Sequence, residues 1–361
     1  MILKHDVRTV ASDFRIDGHF LHAEPYGTGH INDTYCAVFD QGGTRVRYIF
    51  QRINQHVFHF PAALMENVRR VTAHLSAKTE GLADCSRRAL TLIPTRDGQS
   101  HHIDRDGNYW RAYNFIERAR TLEAVESPSQ AFEAAKAFGH FQKLLADLPP
   151  PRLEETIPDF HHTPKRIAAL EQAVEADLLN RAALAEPEID FAFKHKGLTT
   201  TLLEAKLPER VTHNDCKLNN VMLDDATDEG ICVIDLDTVM PGLALYDFGD
   251  MVRTTTSTAK EDEPNLSKVT AEFLMFEALA RGYLTSASEF LTPLEKQFLV
   301  FSGQLITFEI GIRFLTDFLA GDTYFKVHCE GHNLRRCRTQ FKLMESLERQ
   351  EERMEKLVER L

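Results

Sequence analysis

With 361 residues the chain is long enough for two lobes, and 43% apolar with 27% charged residues describes a folded globular protein rather than a fibrous or disordered one. Its 42 basic and 54 acidic side chains leave a net charge of −12, which argues against a nucleic-acid partner. Six cysteines without a C-x-x-C pair suggest neither a zinc site nor a disulfide framework.

The first residues, Met1 to Arg8, carry too many charges for a secretory signal. The most apolar stretch, Phe298 to Phe308, is shorter than a membrane span and runs into Glu309, so a cytoplasmic chain without membrane contact is expected. From residue 20 to residue 116 the pattern is rich in strands. Tyr26 to Tyr35, with Gly27, Thr28 and Gly29, reads as a glycine-containing hairpin, Arg47 to Ile53 as a strand, and Tyr109 to Glu117 as the last strand of this region. Between the last two, a helix from Pro61 to Leu75 carries Glu66.

Beyond residue 116 helices dominate. Ser127-Pro128-Ser129-Gln130 is a capping box that opens a helix to Ala146, which the run Pro149 to Pro151 terminates. Thr163-Pro164 opens a second helix, expected to reach Ala185, and Thr292-Pro293-Leu294-Glu295 opens a long apolar one to Leu319. Glu309 and Arg313 lie four residues apart on that helix, either as an internal salt bridge or as polar groups offered to a ligand. Leu343, Leu347, Met354, Leu357 and Leu361 recur at heptad-like spacing with Gln350 interrupting; packing on the chain's own helices is expected, and a dimer seam would use the same positions.

The chemistry concentrates in Val211 to Asp235. His213, Asp215 and Asn220 form H-x-D-x-x-x-x-N, followed by the short apolar run Val221 to Leu223, the turn Asp224 to Gly230, a second apolar run Ile231 to Ile234, and Asp235. A hairpin at that point carries Asn220 and Asp235 to the same end, where an amide oxygen and a carboxylate suit one hard cation such as Mg²⁺. Asp215, five residues earlier, is placed to orient an acceptor hydroxyl, so the pattern meets the needs of phosphoryl transfer from a magnesium nucleotide. Asp247-Phe248-Gly249 is better assigned to bracing the catalytic loop, through its backbone or His213, than to the metal, because Asp235 directly ends the second strand. Cys216 adjoins Asp215, and a neighbouring carboxylate makes a thiol a poor nucleophile.

These residues resemble the aminoglycoside-phosphotransferase and choline-kinase superfamily. The runs Asp235 to Gly242, Tyr246 to Asp250, Gly29 to Tyr35, Gln51 to Asn54 and Arg313 to Asp317 resemble the N-acetylhexosamine 1-kinases within it. The resemblance implies an α+β, two-lobed protein-kinase-like fold. A strand-rich N-lobe over residues 1–116 would bind the nucleotide phosphates, and a mostly helical C-lobe over 117–361 would hold the catalytic loop, metal site and substrate pocket. It implies ATP as co-substrate and Mg²⁺ held by Asn220 and Asp235, with Asp215 as catalytic base and His213 and Asp247 in support. Gly27, Thr28 and Gly29 would cover the phosphates, and backbone groups from Phe115 to Glu117 would meet the base.

At the position where kinases carry a strand lysine this chain has Gln51, with Arg52 next to it; either Arg52 is the replacing cation, with Glu66 as its helix partner, or strand alternation points Arg52 away and Glu66 is an exposed helix carboxylate. Only twelve residues separate Asp235 from Asp247, too few for the peptide platform of a protein kinase, so a small acceptor is expected. The single Trp, Trp110, sits near the hinge and not in a cage for a quaternary ammonium, which disfavours choline. A sugar is the expected acceptor, with Asp237, Glu309, Arg313 and Tyr324 as its partners and Asn32 and Asp33 reaching it from the roof. An amino alcohol or aminoglycoside acceptor, or a nucleotide-binding pseudoenzyme permitted by the missing lysine, are the other readings.

Overall fold

A computed structural model describes residues 4–27, 29 and 31–361. Thr28 lies outside the described residues. The chain divides into two compact units: residues 1–120 with 147–157 and 222–240, and residues 121–146 with 158–221 and 241–361.

The first unit is built on an antiparallel sheet. Strands β1 (His19–Pro25), β2 (Asp33–Gln41) and β3 (Thr44–Arg52) form a meander, and β4 (Tyr109–Asn114) adds to β3. The turn between β2 and β3 is Gly42-Gly43, both at positive φ, where glycine carries no Cβ penalty. One face of the sheet buries Phe50, Trp110 and Ala112 against Val7, Val10 and Phe14. Helix α1 runs from Pro61 to Thr79, one turn beyond the expected end. Its buried Asn67 donates from Nδ2 to the carbonyls of Glu154 and Val239 and accepts from the Glu154 N–H.

The expected hairpin exists as β6 (Val221–Asp224) and β7 (Gly230–Val233). It groups with the first unit because β5 (Ala119–Arg120) pairs with β6, and because Arg87 and Arg88 reach Asp224 and Glu229.

In the second unit, α2 (Pro128–Leu145) begins at an N-cap Ser127 whose side chain accepts from the Gln130 N–H, while the Gln130 side chain accepts from the Glu126 N–H. Helix α3 (Thr163–Ala176) stops short of Ala185 because Asp177 takes the left-handed conformation. Helices α4 (Ala244–Thr256) and α5 (Phe273–Ala287) follow. The capping box at Thr292 and Glu295 is present with both bonds, but it opens only Pro293–Gln297; the long apolar helix α6 (Leu299–Ala320) starts after a break at Phe298. At 22 residues α6 is long and apolar enough to cross a membrane, contrary to the sequence estimate, and 78% of its most apolar window is buried within the fold. Helices α7 (His332–Glu348) and α8 (Glu351–Val358) break at Gln350, which donates to the Ala271 carbonyl. Leu343, Leu347 and Met354 are buried, whereas Leu361 is exposed.

Candidate active site

The loop after the short strand Arg210–Thr212 carries His213, Asn214 and Asp215. Asn214 has φ +65°, a left-handed residue at the centre of the motif. Two main-chain N–H groups hold this shape: that of His213 donates to Asp247 Oδ2 at 2.8 Å and that of Asn214 to Oδ1 at 2.7 Å. Asp247 is fully buried at the start of α4 and also accepts from Gln142 Nε2 at 2.6 Å, while the Tyr283 hydroxyl donates to Gln142 Oε1. Burial raises the Asp247 carboxyl above its ordinary value, against His213 and these donors. Both of its oxygens are engaged on the loop. The His213 ring is buried beside Phe138 and Phe141.

Asp215 is partly buried. Lys217 Nζ lies 2.7 Å from its Oδ1, and the Asn220 amide donates to its Oδ2 at 3.1 Å and to its carbonyl at 2.8 Å. Burial pushes the Asp215 carboxyl up, but Lys217, His213 and Asn220 outweigh it and hold the carboxyl below its usual range. Because Asn220 spends its Nδ2 on Asp215, Oδ1 is the end left to accept or ligate. Neighbouring Asn219 has a buried amide oxygen without a hydrogen bond.

Asp235 lies two residues beyond the end of β7, at φ +60° and ψ +63°. No cluster of three His, Cys, Asp or Glu side chains suited to a metal occurs among the described residues. Each of Asn220 Oδ1 and the Asp235 carboxylate is an oxygen donor of the kind Mg²⁺ takes, an ion that draws few ligands from protein and the rest from phosphate and water.

Several candidates have other partners. Asp237 is 2% exposed, pairs with the equally buried Arg111, and accepts from Asn32 Nδ2 at 2.6 Å, so it is an internal anchor rather than a group open to an acceptor. Asn32 Oδ1 accepts from the Asn54 N–H at 3.0 Å. Asp33 is surrounded by Lys4, His5 and Arg52, and its carboxyl is held down to about 2: burial opposes ionisation, but the three basic partners win. Arg52 thus points to Asp33, with Nε at 2.7 Å, and the expected Arg52–Glu66 pair does not form; strand alternation turned Arg52 to the other face. Glu66 pairs with Arg69 three residues on, at the helix surface.

Two hinge groups are also committed. The Phe115 N–H donates to the Arg47 carbonyl, and the Glu117 carbonyl accepts from Arg87 Nε. The Glu117 side chain pairs with Arg47, whose guanidinium stacks on Phe115. Gly27 has φ +77°, and Gly27 and Gly29 stand in open space. Trp110 is buried in the sheet core, its Nε1 donating to Asp104.

Glu309 does not pair with Arg313. It is fully buried, with His161 Nδ1 at 2.8 Å and the Thr163 hydroxyl at 2.7 Å; burial raises its carboxyl, but His161 more than offsets this and holds it below its ordinary value. His161 Nε2 lies 3.4 Å from the Asn214 carbonyl, which connects α6 to the loop that carries Asp215. One turn along α6, the Arg313 guanidinium stacks against Phe160, Tyr324 and Phe325, and its Nη2 reaches the Tyr324 hydroxyl at 3.4 Å. Arg166 is close enough that burial and then the charge of Arg313 lower its pKa.

The chain matches the phosphotransferase enzyme family over residues 22–283. It belongs to that family. Among solved structures, an aminoglycoside phosphotransferase from Alicyclobacillus acidocaldarius superposes with TM-score 0.66 at 12% identity, over 100% of this chain and 98% of its own. A choline/ethanolamine kinase family protein from Mesorhizobium loti gives 0.55 at 17%, covering 98% and 99%. A spectinomycin phosphotransferase, solved with ADP and spectinomycin, gives 0.52 at 14%, covering 98% of each chain. These similarities establish the protein-kinase-like fold of the phosphotransferase. Sequence reasoning passed over Arg111, Lys217, His161 and Arg166. Lys217 was within reach, two residues after Asp215 inside the motif; the partners of the others are set only by folding.

Proposed function

We propose that this phosphotransferase transfers the γ-phosphate of ATP to the anomeric hydroxyl of an N-acetylhexosamine or related sugar. Asp215 orients the acceptor hydroxyl and takes its proton, its carboxylate being ionised at neutral pH and held in place by Lys217 and Asn220. Lys217 neutralises charge beside it. Asn220 and Asp235 are the residues proposed to hold Mg²⁺, which would offset charge on the phosphates. Asp247 keeps the loop in its strained shape.

The observation that carries the sugar reading is the pair of arginines in the second unit. Arg313 lies close enough to Arg166 to add to the cost that burial puts on the Arg166 charge. A cationic acceptor such as an amino alcohol or aminoglycoside would meet repulsion there, whereas hydroxyl and amide carbonyl oxygens would find donors. Gln51 in place of a strand lysine leaves a binding-only protein as the second reading.

The test is ADP release with ATP and Mg²⁺ against N-acetylglucosamine, N-acetylgalactosamine, glucose, galactose, choline, ethanolamine and kanamycin. Turnover on an N-acetylhexosamine, abolished in its methyl glycoside, is expected. Turnover confined to the amines would overturn the sugar assignment, and nucleotide binding without turnover on any acceptor would favour the second reading.

A further inference from the structure

β3 offers no cation beside Gln51: Arg52 is turned to Asp33, and Arg47, four residues back on the same face, pairs with Glu117. The neighbouring strand does. Arg111 is the cross-strand partner of Gln51 and donates from Nε to Gln51 Oε1 at 2.9 Å. It is 1% exposed and pairs with Asp237. Burial works against its charge, but Asp237 and, more weakly, Asp235 raise its pKa. Asp237 therefore supplies the anchoring carboxylate expected of Glu66.

Two residues along β4, on the same face, stands Tyr113. It is 3% exposed, the Arg111 guanidinium lies 5.4 Å from its ring centroid, and its buried hydroxyl has no hydrogen-bond partner. The other charges that bear on it are those of Asp237 and Asp235. A buried hydroxyl without a partner is costly to the fold, and a donor beside a cation and a candidate metal ligand is matched to an anionic ligand oxygen.

We propose that Arg111 and Tyr113 form the phosphate-facing wall of the nucleotide site, Arg111 as the positioning cation in place of the strand lysine and the Tyr113 hydroxyl as donor to a nucleotide phosphate oxygen. This rests on the nucleotide half of the proposed function and not on the identity of the acceptor.

The deciding variant is Tyr113→Phe, which removes one oxygen that nothing in the fold uses. Calorimetric titration with MgADP and with adenosine, beside melting without ligand, reads it out. MgADP affinity is expected to fall roughly tenfold, the scale of one hydrogen bond to a charged oxygen, with adenosine affinity and ligand-free melting temperature not lowered. Unchanged MgADP affinity overturns the proposal. An equal loss for adenosine overturns the phosphate assignment by moving the hydroxyl to the base, and a lowered melting temperature shows that the fold already uses it. Arg111→Met should weaken MgADP as well, and adding Gln51→Lys, which puts a cation at the position of the strand lysine, should restore part of the loss; no recovery argues against Arg111 as the lysine's replacement. If Arg111→Met does not fold, Tyr113→Phe still decides. Wild-type protein that binds MgADP but phosphorylates no acceptor would defeat the proposed function and leave this site standing; wild-type protein that binds no MgADP defeats both.

Discussion

Lys217 approaches Asp215 to 2.7 Å, and this contact governs how the carboxylate titrates. Burial alone would raise its pKa; the ammonium is the largest opposing influence. Lys217→Met should therefore shift the acid limb of the kcat/KM–pH profile to higher pH, because the base then takes up its proton earlier. A limb that stays in place would show that Asp215 is not the titrating base. Asp215→Asn keeps the shape and removes the proposed base, and should lower kcat by about 10²–10⁴-fold in the ADP-release assay without lowering the melting temperature. Near-wild-type turnover would exclude Asp215 from proton transfer.

Helices α2 and α5 touch along glycines. A Cβ at Gly282 would collide with the Phe132 carbonyl oxygen, and one at Gly139 would stand 2.8 Å from that of Tyr283. From this seam the bonds run from Tyr283 to Gln142 to Asp247 and on to the N–H groups of His213 and Asn214, so the helix pair fixes the loop that carries Asp215. Gly282→Ala forces backbone apart and should cost about 1–3 kcal/mol in urea unfolding; a cost near zero would mean the helices separate freely. Thr292→Ala removes one arm of the capping box, with an expected loss of about 1 kcal/mol. Glu295 keeps its pair with Arg210, at the start of the strand that leads to His213, so kcat should change little.

Across the molecule, many carboxyls are held below their ordinary range: Asp33 to about 2, and Asp104, Asp215, Glu295 and Glu309 by direction. A group lowered in the folded state contributes stability that is complete above its unfolded value, 3.8 for Asp and 4.5 for Glu, and lost as the pH falls through the folded one. Asp247 has the opposite sign, since its raised carboxyl costs stability when ionised and relieves it on protonation. The lowered groups outnumber it. Urea-unfolding free energy should therefore stay nearly level from about pH 7 to about pH 5 and decline from about pH 4 downward. A decline centred near pH 6 would place the control with histidines instead.

Local chemistry made the elements and the motif legible. The capping residues Ser127 and Thr292, the Gly42-Gly43 turn and the apolar runs on either side of Asp224 to Gly230 act within a few residues, so the sequence determined where these elements begin and turn. The same locality tied Asp215 to Asn220, five positions apart. Helix ends at Asp177 and Phe298 were not legible, because a single left-handed residue and a local break interrupt runs whose composition continues. Partnerships were least legible. Glu309 turned to His161 rather than Arg313, Arg52 to Asp33 rather than Glu66, and Asp237 inward to Arg111, each choosing a residue far away in sequence. Only the tertiary structure decides such choices, because a charge removed from water takes whichever opposite charge or donor the packing delivers, and packing is not encoded in spacing along the chain.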